Sequence, residues 1–202
     1  MSQAVKYLPA DERRVMAVQA VLELAAVQNP GEITTTAIAA QMGLSQGGIF
    51  RHFSSKDEIW RTVMEWVSSE LYARVSSAAQ TAASPLAALE AMFMAHIAFA
   101  VEYPGIPRML FGELQKTQPT PAKTVVAALL ERYGKLLAAT LEQGKACGEV
   151  DGAIPTDVAV SLFVGAVQGL VIKALLLDDM ECMTRNAAQS FALFRRAVRG
   201  AV

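Results

Sequence analysis

The chain has 202 residues and a net charge of −1, and 53% of its residues are hydrophobic against 18% charged. Two cysteines and two histidines leave no basis for a disulfide framework or a zinc ligand cluster, so we expect neither a metal nor a cofactor. The N-terminus lacks the apolar core of a signal peptide, so we expect a reduced, cytoplasmic protein that is long enough to bury a substantial core.

Helical periodicity runs along nearly the whole chain and predicts an all-α protein of about nine helices, short ones first and long ones after. No stretch alternates in the manner of a strand between hairpin turns. Ser55 and Glu58 stand three residues apart and predict a capping box at the start of the fourth helix. In chain order the predicted helices cover roughly 11–28, the segment from the threonines at 34–36 to near Gly43, 45–52, a long helix from Ser55 through Leu71, the segment from Pro85 to Tyr103, and then about 106–117, 121–146, 156–178 and 182–199.

The stretch GLSQGGIFRHF, residues 43–53, begins with the pattern G-x-S-x-G. In a serine hydrolase this pattern is a nucleophile elbow, with a strand before the serine and a helix after it. The residues before Ser45 form a helical pattern, and the only downstream histidine, His96, lies in an apolar helix without a neighbouring carboxylate to orient it. A hydrolase is therefore disfavoured, and the alternatives are a plain glycine-rich turn or the corner of a helix-turn-helix.

The helix-turn-helix interpretation accounts for more residues at once. Ala39 is small enough to lie where two short helices cross, and Gly43 can adopt the positive φ that the corner needs. Apolar side chains that could hold the pair against the first helix are Ile38, Leu44, Ile49 and Phe53. Arg51 and Lys56 are basic, and no acidic residue occurs between Ile33 and Lys56, which gives a modest basic patch compatible with DNA.

The segment from 34 to 60 resembles the N-terminal signature of the TetR (tetracycline-repressor-like) transcriptional regulators. The matching residues are Thr34-Thr35, Ile38-Ala39, Gly43-Leu44-Ser45, residues 49–53 and residues 55–57. The resemblance implies a helix-turn-helix DNA-binding domain over 1–58 and a helical ligand-binding and dimerisation domain over 59–202. It further implies a homodimeric repressor, not an enzyme, that binds a near-palindromic operator and is released by a small effector. We expect this effector to be largely apolar because of the apolar side chains of the fifth predicted helix.

Roles within the motif follow from the same resemblance. The implied DNA-binding residues are Thr35, Thr36, Ser45, Gln46, Gly47, Gly48, Phe50, Arg51, His52 and Lys56. Ser45 would cap the recognition helix, and Gln46 and Arg51 have the hydrogen-bonding groups that suit adenine and guanine edges respectively. Arg51 could instead contact phosphate alone. Phe50 replaces a commoner tyrosine, so it either touches a thymine methyl group or belongs to the core.

The fifth predicted helix has two apolar faces. Its second face carries Met92, His96, Phe99 and Tyr103. This face could line a ligand cavity in which His96 is the polar anchor, or it could simply pack against another helix. Further candidate cavity residues are Met64, Met109, Leu110 and Tyr133.

Residues 158–177 form an apolar run long enough to raise the alternative of a membrane-associated helix. Polar residues interrupt the run, so we expect no membrane association and assign its small-residue stripe to close helix packing. Together with the last helix it would form a four-helix dimer interface. The residues expected there are Ser161, Gly165, Gly169, Phe191, Phe194 and Val198.

Overall fold

Residues 10–199 are described in the computed structural model of the chain, and within them the backbone forms nine α-helices and no strand. The all-α prediction is confirmed. The helices are α1 (Ala10–Val27), α2 (Thr35–Gln41), α3 (Gln46–Ile49), α4 (Lys56–Gln80), α5 (Pro85–Glu102), α6 (Gly105–Gln115), α7 (Pro121–Ala146), α8 (Thr156–Leu177) and α9 (Glu181–Arg199), with one 3₁₀ turn (Pro30–Glu32) after α1. The expectation of no signal peptide concerns a segment that falls largely outside the described residues.

The first three helices form a small head. Gly43 adopts φ +68° between α2 and α3, and the Leu44 amide donates to the Ala39 carbonyl at 2.8 Å, which closes the corner. Ile38, Ala39 and Ile49 are buried beneath this corner. Because a side chain at positive φ is strained, glycine is the natural residue at this point.

Side-chain caps set the starts of the early helices. Thr34 accepts from the Ala37 amide, and Ser55 accepts from the Glu58 amide. The expected capping box is formed only in part, because the Glu58 carboxylate accepts from the amide and the hydroxyl of Ser54, both at 2.6 Å, and not from the Ser55 amide. Two serines precede the helix, and the Glu58 side chain is long enough to reach the one farther from the helix, Ser54.

The recognition helix is shorter than predicted. It ends at Ile49, and the chain continues in turns through His52, with the Phe53 amide donating to the Ile49 carbonyl at 3.0 Å. Gly47 and Gly48 are weak helix formers, and Phe53 must turn inward because it is fully buried. The buried ring therefore takes the chain out of the helix before residue 52.

The larger body packs α4, α5, α7, α8 and α9 around an aromatic core. Phe93 meets Phe163 edge-on at 5.4 Å between ring centroids and meets Phe191 at 5.6 Å. Phe191, Phe194 and Val198 are buried inside this one chain, so their expected place in the dimer interface is wrong. Their apolar face packs against α5 and α8 of the same protomer.

Two helices join the head to the body. Helix α4 starts beside the head and runs into the body, so the predicted boundary at residue 58 would fall in its first turn and stays a prediction. Helix α6 packs against α1 and the 3₁₀ turn. The approach to α1 is close, because a Cβ atom on Gly105 would lie 2.8 Å from the Ala25 side chain.

Candidate DNA-binding surface and buried cavity

None of the predicted DNA-contacting residues is buried, and each is exposed or half-buried. Gln46 opens α3 and Arg51 follows it, and both are exposed. Phe50 is 47% exposed, which removes the alternative that its ring belongs to the core. Thr36 is exposed and Thr35 half-buried in the first turn of α2. Short polar and basic side chains on adjoining helix starts form a surface of the kind that can lie against a DNA groove.

Ser45 is the N-cap of α3. Its hydroxyl accepts from the Gly48 amide at 3.1 Å, and the element before it is α2, a helix. A nucleophile elbow needs a strand at that place, and the described residues contain none. The position therefore satisfies the expectation of a cap and lacks the context for a hydrolase.

Gly47 and Gly48 differ in the space around them. A Cβ atom on Gly47 would meet nothing within 4 Å, whereas one on Gly48 would lie 3.3 Å from the Ser45 hydroxyl. A side chain at position 48 would therefore crowd the Ser45 cap, whereas a side chain at position 47 would project into open space at the surface.

His52 contacts a residue that the sequence analysis did not select. The Arg13 guanidinium of α1 hydrogen-bonds to the His52 imidazole. Desolvation, and then the charges of Arg13 and Arg51, lower the pKa of His52 below its usual value. His52 is thus neutral at neutral pH, and Arg13 brings a further cation to the predicted surface. Arg13 and His52 are 39 positions apart in the sequence, so no local sequence pattern could predict this contact.

Lys56 is held within the protein. Its ammonium donates to the Gly31 carbonyl at 3.3 Å and lies 4.9 Å from the centroid of the Trp60 ring. Burial, followed by the nearby charge of Lys116, lowers the pKa of Lys56. A phosphate contact by this side chain would compete with these interactions and stays a prediction.

A cavity of about 160 Å³ lies in the body between α4, α5, α6, α7 and α8. Five of the predicted ligand-binding residues line it: Met64, His96, Phe99, Leu110 and Tyr133. Exposed residues at its edge are Leu114, Leu130 and Gln168, so the cavity opens between α6, α7 and α8. The sequence pointed to none of these three, because each is an ordinary surface residue of its own helix.

Met92, Tyr103 and Met109 do not line this cavity. The stripe from Met92 to Tyr103 is about 16 Å long, and the cavity meets only its middle turn, at His96 and Phe99. Met92 is buried elsewhere in the core, and Tyr103 packs edge-on against Trp66 in a groove beside α1. Met109 borders a separate cleft that contains Lys56.

His96 and Tyr133 meet inside the cavity. Their ring centroids are 5.6 Å apart, and among the described residues neither the His96 Nδ1 atom nor the Tyr133 hydroxyl has a hydrogen-bond partner. Burial lowers the pKa of His96 to about 4 and raises the pKa of Tyr133 well above its usual value. Both groups are therefore neutral at neutral pH, and each keeps an unused hydrogen-bonding atom in an apolar cavity.

The outer face of α8 is apolar and exposed. Residues spaced alternately four and three apart form one seam along it: Val158, Leu162, Gly165, Gly169, Ile172 and Leu176. Ser161, Gly165 and Gly169 are all exposed, and a Cβ atom on either glycine would meet nothing within 4 Å. Within the described residues α5 and α8 are long and apolar enough by composition to cross a membrane, but the alternating seam is the pattern that packs against another helix.

Comparisons with known proteins agree with this architecture. Residues 18–63 match the model of bacterial regulatory proteins of the tetR family, and residues 112–190 match the tetracyclin repressor-like C-terminal domain. The nucleoid occlusion factor SlmA of Aliivibrio fischeri strain MJ11 is 23% identical over 188 residues, which is 93% of this chain and 96% of SlmA.

Two solved structures have the same fold. The fatty acid degradation regulator FadR from Bacillus halodurans superimposes with a TM-score of 0.81 at 18% identity, covering 97% of this chain and 100% of FadR. FadR from Bacillus subtilis, in complex with stearoyl-CoA, gives a TM-score of 0.80 at 16% identity, with coverages of 91% and 98%.

Proposed function

Because this chain belongs to the TetR family of bacterial transcriptional regulators, we propose that it is a repressor that binds a near-palindromic operator as a homodimer and is released by a small, largely apolar effector. The observation that carries the proposal is the exposed surface at α3, where Gln46 opens the helix and Arg51 lies in the turn after it, beside the corner at Gly43 and the cap at Ser45. The amide of Gln46 suits an adenine edge, and the guanidinium of Arg51 suits a guanine edge.

Phosphate contacts would orient the head on the duplex. Thr35 and Thr36 lie in the first turn of α2, where backbone amides are unpaired and favour an anion. The Arg13 guanidinium lies against the His52 imidazole, so the pair would place a cation beside an imidazole ring where a phosphate could bind. These contacts carry no sequence information, so we expect them to set affinity and salt dependence while Gln46 and Arg51 set specificity.

The route from effector to DNA would run through α6. Ile106 and Leu110 of this helix line the cavity, and the same helix packs against α1 of the head, with a close approach at Gly105. An effector that binds one position of α6 better than another would shift the heads between two arrangements. The effect on DNA then equals the difference in the effector's affinity for those two arrangements.

The experiment is a gel-shift titration of the full chain with the DNA immediately upstream of its own coding sequence, using shuffled DNA of equal length as competitor. We expect a retarded complex that weakens steeply with salt. Arg51→Ala and Gln46→Ala should each cost roughly 1–3 kcal/mol in affinity for the specific site and much less on shuffled DNA.

Matched controls lie on the far helix α7. Lys135→Ala removes one exposed cation, and Gln143→Ala removes one exposed amide, so neither should change DNA affinity. The proposal fails if the upstream DNA is bound no better than the shuffled DNA, or if Arg51→Ala binds like Lys135→Ala.

A further inference from the structure

The cavity of the body combines apolar walls with two unused polar atoms. Side chains around it are mostly aliphatic or aromatic, and within residues 10–199 no charged side chain lines it. His96 and Tyr133 are buried and contribute the Nδ1 atom and the hydroxyl that lack partners among the described residues. Gln168 is the third polar side chain, and it lies exposed at the edge. A buried polar atom without a hydrogen-bond partner destabilises the fold. Two such atoms side by side therefore indicate a site where a polar group of a ligand binds to them.

One oxygen atom can serve both polar atoms. A ligand hydroxyl can accept from the Tyr133 hydroxyl and donate to the Nδ1 lone pair of neutral His96, and a ligand carbonyl can accept from both residues when Nδ1 carries the proton. The ring centroids of the two residues are only 5.6 Å apart, which allows both to reach one small polar group. The rest of the ligand must then be apolar, because the other side chains that line the inner part of the cavity are apolar.

The charge of the ligand is constrained by the same walls. A carboxylate or a phosphate placed here would find no lysine or arginine among the lining residues. Burial holds the pKa of His96 at about 4, so the imidazole supplies no cation at neutral pH. Burying an anion without a partner is strongly unfavourable, which selects neutral ligands.

The size of the cavity sets a further limit. Its volume is about 160 Å³, and an apolar protein cavity of roughly 150 Å³ holds a molecule such as benzene. A single ring with a short substituent fills this space, and the exposed edge at Leu114 and Leu130 gives a substituent room to extend.

We propose that the effector is a neutral, single-ring-sized apolar molecule that carries one hydroxyl or carbonyl oxygen, and that Tyr133 and His96 bind that oxygen together. The inference rests on the proposed effector-responsive function and names the chemical class of the effector. It assigns Tyr133 the role of donor and His96 the role of second partner.

The test compares four small probes on the full chain by isothermal titration calorimetry and thermal shift at neutral pH: 4-methylphenol, acetophenone, toluene and 4-methylbenzoate. We expect 4-methylphenol or acetophenone to raise the melting temperature with concentration and to bind about tenfold more tightly than toluene. The anionic 4-methylbenzoate should not bind.

Variants separate the hydrogen bonds from cavity shape. The quantity to compare is the ratio of the affinity for the oxygen-bearing probe to the affinity for toluene. Tyr133→Phe should reduce this ratio to about one, and His96→Leu should also reduce it. Toluene binding in each variant reports that the cavity persists. Thr140→Val is the matched control, because it removes a buried hydroxyl of α7 that donates to the Leu136 carbonyl and lies outside the cavity lining, and the ratio should stay unchanged.

The inference is overturned if 4-methylbenzoate binds best, if toluene binds as well as both oxygen-bearing probes, if none of the four binds, or if Tyr133→Phe keeps the wild-type ratio. Should His96→Leu fail to fold, Tyr133→Phe still decides. Binding of the wild-type chain to the upstream DNA separates the two proposals. If the chain binds this DNA but none of the probes as expected, only the proposed class of effector is rejected, and the proposed function stands.

Discussion

At the scale of single residues, burial determines how His96 responds to acid. Its pKa is lowered to about 4 in the folded chain by desolvation, against about 6.5 in the unfolded chain. Tyr133 faces it from α7, and in the part of the chain that the structure describes no Asp, Glu, Lys or Arg lines the cavity around the two rings. The unfolded chain therefore binds a proton at this residue before the folded chain does, so the free energy of unfolding decreases as the pH falls from about 6.5 to about 4.

We predict that His96→Leu removes this part of the acid destabilisation. The wild-type chain should lose on the order of 3 kcal/mol through this residue between pH 6.5 and pH 4, and urea unfolding across this range measures it. His52→Gln is the comparison, because it removes the only other histidine; the pKa of His52 is lowered less than that of His96, so this variant should remove a smaller part of the acid destabilisation. Parallel pH curves for wild type and His96→Leu would contradict the prediction.

Two neighbouring glycines should respond in opposite ways to alanine. Gly43 has φ +68°, so Gly43→Ala forces an L-residue into the left-handed region and should cost about 1–2 kcal/mol of stability. Gly47 lies in α3 with open space around its Cα atom, so Gly47→Ala should be neutral or stabilise by up to about 1 kcal/mol. Thermal unfolding of the two variants compares them directly, and equal shifts would mean that the corner is not strained by a side chain.

At the scale of whole helices, most boundaries could be predicted because local chemistry sets them. Ser84 and Pro85 start α5 with a side-chain cap and a fixed φ, and Thr120 and Pro121 start α7 in the same way. The end of α3 could not be predicted, because it depends on how deeply Phe53 is buried by the rest of the head. Tertiary packing overrode the local helical pattern there.

Helix packing also limited the site prediction. The stripe on α5 correctly placed His96 and Phe99 beside the cavity, but the contact of His96 with Tyr133 joins α5 to α7 and has no periodic signal. For α9 the periodicity identified the apolar face, yet an apolar face can pack against its own chain or against a partner. Phe191 and Phe194 pack inside their own chain, so hydrophobicity alone could not decide between the two.

Helix α6 offers a prediction about the link between cavity and head. A Cβ atom on Gly105 would lie 2.8 Å from the Ala25 Cβ atom and 2.9 Å from the Leu22 carbonyl oxygen. Gly105→Ala must therefore push α6 away from α1 and should cost about 1–3 kcal/mol of stability. If α6 transmits effector binding, the variant should also bind upstream DNA more weakly without any effector.

The control for this variant lies on the same helix. Gly112 has nothing within 4 Å of a built Cβ atom, so Gly112→Ala should stabilise α6 by up to about 1 kcal/mol and leave DNA binding unchanged. Urea unfolding and gel shifts on both variants test the prediction, which is contradicted if Gly105→Ala is as stable as Gly112→Ala.

At the scale of the whole molecule, the exposed seam of α8 has to be accounted for. Its large side chains are 46–84% exposed in the single chain, from Leu162 to Leu176. A contiguous apolar face of this kind marks a site of association. The glycines at 165 and 169 lie in its middle and allow two helix backbones to approach closely. A second copy of the same helix satisfies the spacing, because a two-fold axis places the same residues on both sides.

We therefore predict that Gly165→Glu converts a dimer into a monomer. The substitution places a charge at the centre of the seam, and burying it without a partner should cost roughly 3–5 kcal/mol per site, enough to weaken association more than a hundredfold. Sedimentation velocity measures the mass directly. Val27→Glu is the control, since Val27 is also exposed, at 81%, but lies at the end of α1, and this variant should keep the wild-type mass.

The affinity for DNA should change together with the oligomeric state. Two heads joined in a dimer engage both half-sites of an operator together, whereas a monomer engages one and loses the benefit of linkage. Gly165→Glu should accordingly lose affinity for a two-half-site fragment while keeping the affinity of wild type for a single half-site. If Gly165→Glu stays dimeric, the α8 seam is not the dimer interface. If it becomes monomeric and still binds the full operator like wild type, dimerisation is not what assembles the two heads on DNA.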